Sequence, residues 1–150
     1  MTKSDIKKEY SAGGIVYRHN SDGLRDWLLI QHAAARHWGF PKGHIGDKVK
    51  NESSEEAALR EVLEEGAVHA SIIYREPIII EYDYHHGTER RHKTVKYYLM
   101  EYNSGDPEEH DDEVSEALFV PEDQIHTKIT YDNDKEAFEK ALLILQKSTS

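Results

Sequence analysis

The 150 residues, 37% hydrophobic and 32% charged with 9 Gly and 4 Pro, have the make-up of one globular domain and not of a disordered or fibrous chain. No apolar run approaches the roughly 18 to 20 residues that cross a bilayer, and the start MTKSDIKKEY lacks a secretory apolar stretch, so a cytoplasmic protein is expected. The absence of cysteine excludes disulfides, thiolate metal sites and a cysteine nucleophile, and the net charge of −10 argues against sequence-blind binding to nucleic acid.

In chain order, Tyr10 to Arg18 reads as a strand interrupted at Gly13-Gly14, and Trp27 to His32 as a short buried one. The turn residues of HNSDGLRD between them predict a hairpin. AAARHWGFPKGHIGDKVKN follows as a long irregular loop, a kind of segment that often carries function. The next helix, ESSEEAALREVLEEG, opens on a capping box, with Ser53 at the cap and Glu56 three residues on, and Gly66 suits its C-terminal stop. Segments at about 68 to 82 and 91 to 102, and Ala117 to Val120, read as strands. From about Asp134 to Gln146, the residues Ala137, Phe138, Ala141, Leu142 and Leu145 recur at helical spacing. No internal repeat or linker divides the chain, and the order strands, helix, strands, helix predicts an α/β (α+β) sandwich over residues 1–150.

Within the first helix, Glu61, Glu64 and Glu65 stand at i, i+3 and i+4, which puts three carboxylates on adjoining turns of one face. Leu59, Val62 and Leu63 form another face able to anchor the helix, while Ala57 and Ala58 leave room beside the acidic stripe. Two readings follow: a solvated acidic surface, or an oxygen-donor site for magnesium or manganese, which would reverse the local charge and receive phosphate oxygens. The ten histidines, with no cysteine and no HExxH spacing, do not make a zinc site.

GFPKGH, then Glu52, then Arg60-Glu61-Val62-Leu63-Glu64-Glu65 followed by Gly66, Ala67 and Val68, resembles the Nudix box over about residues 43 to 68. The box runs Gly, five residues, Glu, seven residues, then REUxEExGU with U aliphatic. The formal spacing lands on Gly46, whereas the Gly after Pro-Lys is Gly43, with a loop three residues longer; Ala67 stands where the box has Gly. Membership implies one Nudix hydrolase domain, a Nudix-type α/β/α sandwich with a mixed sheet and a catalytic helix after a long loop. It implies Mg2+ or Mn2+ as cofactor, with Glu64 and Glu65 as main ligands and Glu61 as a further ligand or as the base acting on a metal-bound water. Arg60 would orient these glutamates with Glu52 as its partner, and a backbone carbonyl at Lys42 or Gly43 would join the ligands. Relatives add a carboxylate from a late loop, for which Glu113 matches, with Asp111 and Asp112 close by.

The box implies cleavage of a diphosphate linked to some other group, and the substrate is read from outside it. HWGFPKGH, and Lys93-Thr94-Val95 followed by Tyr97, Tyr98 and Leu99, resemble asymmetrically cleaving diadenosine tetraphosphate hydrolases, in which a Tyr tends to lie sixteen to eighteen residues past the box. Tyr84 stands sixteen after Val68, with Tyr82 close by. The resemblance implies a small dinucleoside polyphosphate as partner, with Tyr82, Tyr84, Tyr97 and His37 near the nucleotide, while the short apolar runs speak against a membrane and the acidic balance against nucleic acid as partner. Lys42, Gly43, His44 and Lys93 would lie near its phosphates. Each pair of tyrosines alternates as in a strand, so one member of each is equally suited to filling the core. Arg90 and Arg91, in the main basic cluster, suit a hairpin tip in water as well as a phosphate. Alternatives on the same chemistry are a house-cleaning hydrolase of oxidised nucleoside triphosphates and an RNA 5′-pyrophosphohydrolase. A non-catalytic nucleotide-sensing module could lose box carboxylates, and here all three are present.

Overall fold

The computed structural model describes residues 6–46 and 49–148. Strand β1 (Ile6–His19) is central, and β2 (Arg25–His32), β3 (Trp38–Gly39), β4 (Lys42–His44), helix α1 (Ser54–Gly66), β5 (Val68–Ile72), β6 (Ile78–His86), β7 (Glu89–Gly105), β8 (Val114–Pro121), the one-turn α2 (Ile125–Lys128) and α3 (Asp132–Ser148) follow. The sheet order is β3-β2-β1-β7-β5, with β4 also on β1, β6 on β7 and β8 on β2. Among the described residues only β1 and β7 pair in parallel, in register from Ile6 with Arg90 to Tyr17 with Glu101, so the sheet is mixed.

β1 is not interrupted at Gly13-Gly14. The long β7 ladder holds one edge of it, while β4 and then the β2 hairpin hold the other, and these bonds outweigh the low strand preference of glycine. The segment expected as one strand at about 68 to 82 is two, broken by residues 73–77 around Pro77, whose ring cannot donate to a ladder. The long loop after β2 likewise contains β3 and β4, too short to leave a periodic signature.

Alternation of side chains along β1 divides the interior into two layers. Ile15 and Tyr17 pack with Trp27, Leu29, Tyr97, Leu99 and, from α3, Ala137, Phe138, Ala141 and Leu145. Ala12 and Val16 face the other way, against Leu28, Met100 and, from α1, Ala57, Ala58 and Val62. This is the α/β/α sandwich, with a helix on each face of the mixed sheet.

The capping box of α1 is formed in both directions, the Glu56 amide donating to Ser53 Oγ and the Ser53 amide to Glu56 Oε1. The anchoring face differs from the one expected. Leu59 and Leu63 are 38% and 43% exposed, whereas Glu61 and Glu65 are buried beside Ala57, Ala58 and Val62. The small alanines allow a close approach to the sheet, and the helix turns its carboxylates inward to reach β4. α1 ends at Gly66 as expected, but glycine does not make the reversal. The left-handed cap is Ala67, at φ 56°, while a Cβ on Gly66 would lie 2.6 Å from Leu28 Cδ2. Packing thus keeps glycine one place ahead of the residue that makes the reversal.

Candidate active site

Three elements converge on β4. The amide of Lys42 donates to Glu65 Oε1 at 2.9 Å, and at Gly43 a Cβ would lie only 2.1 Å from Glu61 Oε2. Any larger residue there would displace the Glu61 carboxylate. Glu65 is 5% exposed. Burial pushes its carboxyl up to about 8, with the Glu61 and Asp111 charges adding to the rise and the Lys42 amide opposing it.

Arg60 ties the cluster together. Its Nη2 and Nε donate to the two oxygens of Glu52 at 2.7 and 3.0 Å, its Nη1 to Glu61 Oε2 at 2.9 Å and Glu64 Oε1 at 3.3 Å, and Nη2 also to the His44 carbonyl at 3.2 Å. The bidentate bond from Arg60 is the main cause that holds the Glu52 carboxyl below its usual range. Glu52 Oε1 accepts further from the amide of Gly46, which sits at φ +80°. The two glycines of the loop thus have separate tasks, Gly43 beside Glu61 and Gly46 beneath Glu52. Asp47 and Lys48 lie outside the described residues.

The late loop meets the C-terminal end of α1. The Asp111 amide donates to the Glu64 carbonyl at 3.3 Å, and the half-buried Asp111 carboxylate is close enough to bear on Glu65. Glu113 and Asp112 are exposed. The Glu113 carbonyl accepts from the Ala33 amide and its own amide donates to Asp111 Oδ1, which anchors the loop.

Oxygen donors of this kind, one of them buried deeply enough to resist ionisation, suit a divalent cation that prefers hard ligands. As the side chains stand, no three acidic or imidazole groups among the described residues converge on one point. Glu61 and Glu64 each turn an oxygen to Arg60, and Glu65 turns one to the Lys42 amide.

Beside the cluster opens a cavity of about 590 Å³ whose lining includes His37, Lys42, Tyr82, Tyr84, Lys93 and Asp134. The β6–β7 register explains the wall: Tyr82 lies opposite Lys93 and Tyr84 opposite Arg91, all on one face. The Tyr82 and Tyr84 rings are 6.1 Å apart, and the His37 ring lies 5.0 Å from that of Tyr131 across the mouth. Lys93 is pushed down to about 8 by burial and by the nearby Lys42 charge. Tyr97 lies behind the wall. It is fully buried, packs edge-on against Phe40, and donates from its hydroxyl to Asp134 Oδ1 at 2.9 Å. His44 is half-buried in β4. Arg90 is an exposed residue near the hairpin tip, while Arg91 is ion-paired.

Two buried carboxylates, one in the cavity wall and one behind it, escaped the sequence reading. Asp134 begins a helical pattern and reads as an ordinary acidic first-turn residue, yet it is 6% exposed and lines the cavity. Burial raises its carboxyl above the usual range. Glu9, in a polar N-terminal stretch, is 9% exposed and accepts from Tyr84 and Arg91. Its alternation with Ser11 was the available signal.

A profile described as NUDIX domain matches residues 7–141. The protein MutT4 of Mycobacterium tuberculosis, named as a mutator protein, is 32% identical over 157 aligned positions, covering 99% of this chain and 60% of that protein. The chain therefore spans about 60% of the length of this relative. Among solved structures, the Caenorhabditis elegans Ap4A hydrolase in a binary complex superposes with a TM-score of 0.69 at 25% identity, covering 93% of this chain and 98% of that one. The NUDIX domain of Shewanella oneidensis NrtR, cocrystallised with ADP ribose, gives a TM-score of 0.71 at 20% identity over 97% and 93% of the two chains, a likeness of fold.

Proposed function

The chain belongs to the NUDIX domain family, and from that premise we propose that it is a hydrolase of nucleoside polyphosphates, splitting diadenosine tetraphosphate asymmetrically into ATP and AMP. The observation that carries this reading is the junction of the cavity with the acidic cluster at β4. Lys42 contributes its amide to Glu65 and its side chain to the cavity wall, so a nucleotide seated against Tyr82 and Tyr84 has its phosphates beside Glu61 and Glu65. The likeness to the C. elegans Ap4A hydrolase over nearly the whole of both chains supports the choice of substrate. A cavity of about 590 Å³ suits a nucleoside with part of its phosphate chain.

Glu61, Glu64 and Glu65 would hold Mg2+ or Mn2+, with Asp111 favoured over Glu113 for the late carboxylate because of its field at Glu65. When bound, the metal supplies charge neutralisation of the phosphate chain and lowers the pKa of water. Glu61 and Glu64, steered by Arg60, take the proton of the attacking water or hold its position, and Glu52 fixes Arg60 in turn. Lys42, Lys93 and His44 offset the negative charge of the departing phosphates. Water attacks one phosphorus in line and the phosphoanhydride bond opposite it breaks. No covalent link to the chain is needed.

A second reading, pyrophosphohydrolysis of an oxidised nucleoside triphosphate, is favoured by one observation: MutT4, named as a mutator protein, shares 32% identity against 25% for the Ap4A hydrolase. Chromatography of the products from a substrate panel with Mg2+ and with Mn2+ separates the two. ATP plus AMP from diadenosine tetraphosphate is expected. Intact diadenosine tetraphosphate alongside pyrophosphate release from a triphosphate would transfer the assignment to the second reading.

A further inference from the structure

Glu9 lies outside the acidic helix and outside the cavity lining, yet it is 9% exposed in a stretch where Lys7, Lys8 and Tyr10 are exposed. A buried carboxylate in such a place needs partners, and it has one for each oxygen. The Tyr84 hydroxyl donates to Oε1, and Arg91 Nη1 donates to Oε2 at 2.9 Å. Arg91 does not depend on Glu9 for its place, since its Nη2 and Nε also bond Glu89 at 2.7 and 2.8 Å. The Tyr84 hydroxyl also meets the Arg91 side chain, so tyrosine, arginine and carboxylate close into one cluster.

The registers make the arrangement definite. Glu9 pairs with Lys93 in β7, and Lys93 pairs with Tyr82 in β6, so the three form one row on the cavity side of the sheet. In the next row Lys7, Arg91 and Tyr84 lie abreast. The bond from Tyr84 to Glu9 runs diagonally from one row to the other and across the whole width of β7. It fixes the outer ring of the cavity wall against the central strand, at the position where Lys93 faces the cavity. The carboxylate is held below its usual range although burial alone would raise it, because the Tyr84 hydroxyl and the Arg91 charge outweigh that effect.

We propose that Glu9 is a positioning residue for nucleotide binding, acting through Tyr84 to set the aromatic wall. This rests on the reading that the cavity takes the nucleotide. The bonds of Glu9 run to β6 and β7, to Tyr84 and Arg91, and not to the acidic helix. Loss of Glu9 therefore registers in KM and not in kcat.

The test uses the full chain with diadenosine tetraphosphate and ATP as probes. Glu9→Gln keeps the size and one acceptor oxygen but removes the charge, and KM is expected to rise on the order of tenfold with kcat within about twofold of wild type. Tyr84→Phe is expected to raise KM to a similar extent, and the double variant to be no worse than the poorer single one, as coupled residues require. An unchanged KM in Glu9→Gln overturns the proposal, and so does an additive double variant. If Glu9→Gln does not fold, Tyr84→Phe alone decides, with an unchanged KM again overturning it. A wild-type chain that cleaves neither probe would sink the functional reading instead. The positioning is then read from 3-fluorotyrosine labelling, where the 19F resonance absent from Tyr84→Phe must shift or broaden in Glu9→Gln. An unmoved resonance overturns the positioning role whatever the substrate.

Discussion

Replacing Glu65 by Gln is expected to make the metal-free protein more stable near neutral pH while removing its catalytic activity. Glu65 is 5% exposed, and burial pushes its carboxyl up to about 8 from an ordinary 4.5. Between those values the native state binds more protons than the unfolded chain, so stability falls as pH rises through that window. Each pH unit is worth about 1.4 kcal/mol, and the two and a half units from 4.5 to 7 give a loss of roughly 3 kcal/mol. The glutamine amide has no charge to desolvate, and its oxygen still accepts from the Lys42 amide. Urea unfolding in chelator at pH 5, 7 and 8.5 measures the difference between variant and wild type. It should grow from under about 1 kcal/mol at pH 5 to about 3 kcal/mol at pH 7 and more at pH 8.5. A difference that is constant with pH, or a variant less stable than wild type at pH 7, would refute the reasoning. Catalytic sites commonly carry strain of this kind, held against the stability of the fold.

Two further outcomes follow from the geometry. Gly43→Ala puts a Cβ 2.1 Å from Glu61 Oε2, and is expected to destabilise the chain by about 1 to 3 kcal/mol in a thermal melt while cutting turnover more than about tenfold; an active, equally stable variant would mean that Glu61 is free to withdraw. Asp111→Asn is expected to raise the Mn2+ concentration for half-maximal activity by about tenfold or more, and Glu113→Gln to leave it within about twofold, with metal titrations of the two variants side by side as the measurement and the reverse order restoring Glu113 as the late carboxylate.

Local signals were the readable part of the fold. The capping box at Ser53 and Glu56, the hairpin between β1 and β2, and the apolar spacing of α3 each depend on neighbours within a few residues, and each is present. The α/β/α class follows from the order of those elements. What was not readable depends on distant partners. Leu59 and Leu63 look like the core face of α1, but β4 supplies the Lys42 amide and the Gly43 gap that draw Glu65 and Glu61 inward in their place. Tyr97 cannot be told from Tyr82 by spacing, since both lie on the same side of the sheet; the approach of Asp134 from α3 puts Tyr97 in the core. Glu9 is defined by a residue 75 positions away, and no local pattern reports that.

The end of α1 has a consequence for how this chain can vary. At Ala67 a methyl-bearing residue occupies a conformation that disfavours a side chain by roughly 1 to 2 kcal/mol. The usual remedy, exchanging the two neighbours so that glycine takes the bend, is closed off because Leu28 leaves no room for a methyl at position 66. Relief is left at position 67 alone, and a second glycine there would enlarge the freedom of the unfolded chain and loosen the last turn right behind Glu64 and Glu65.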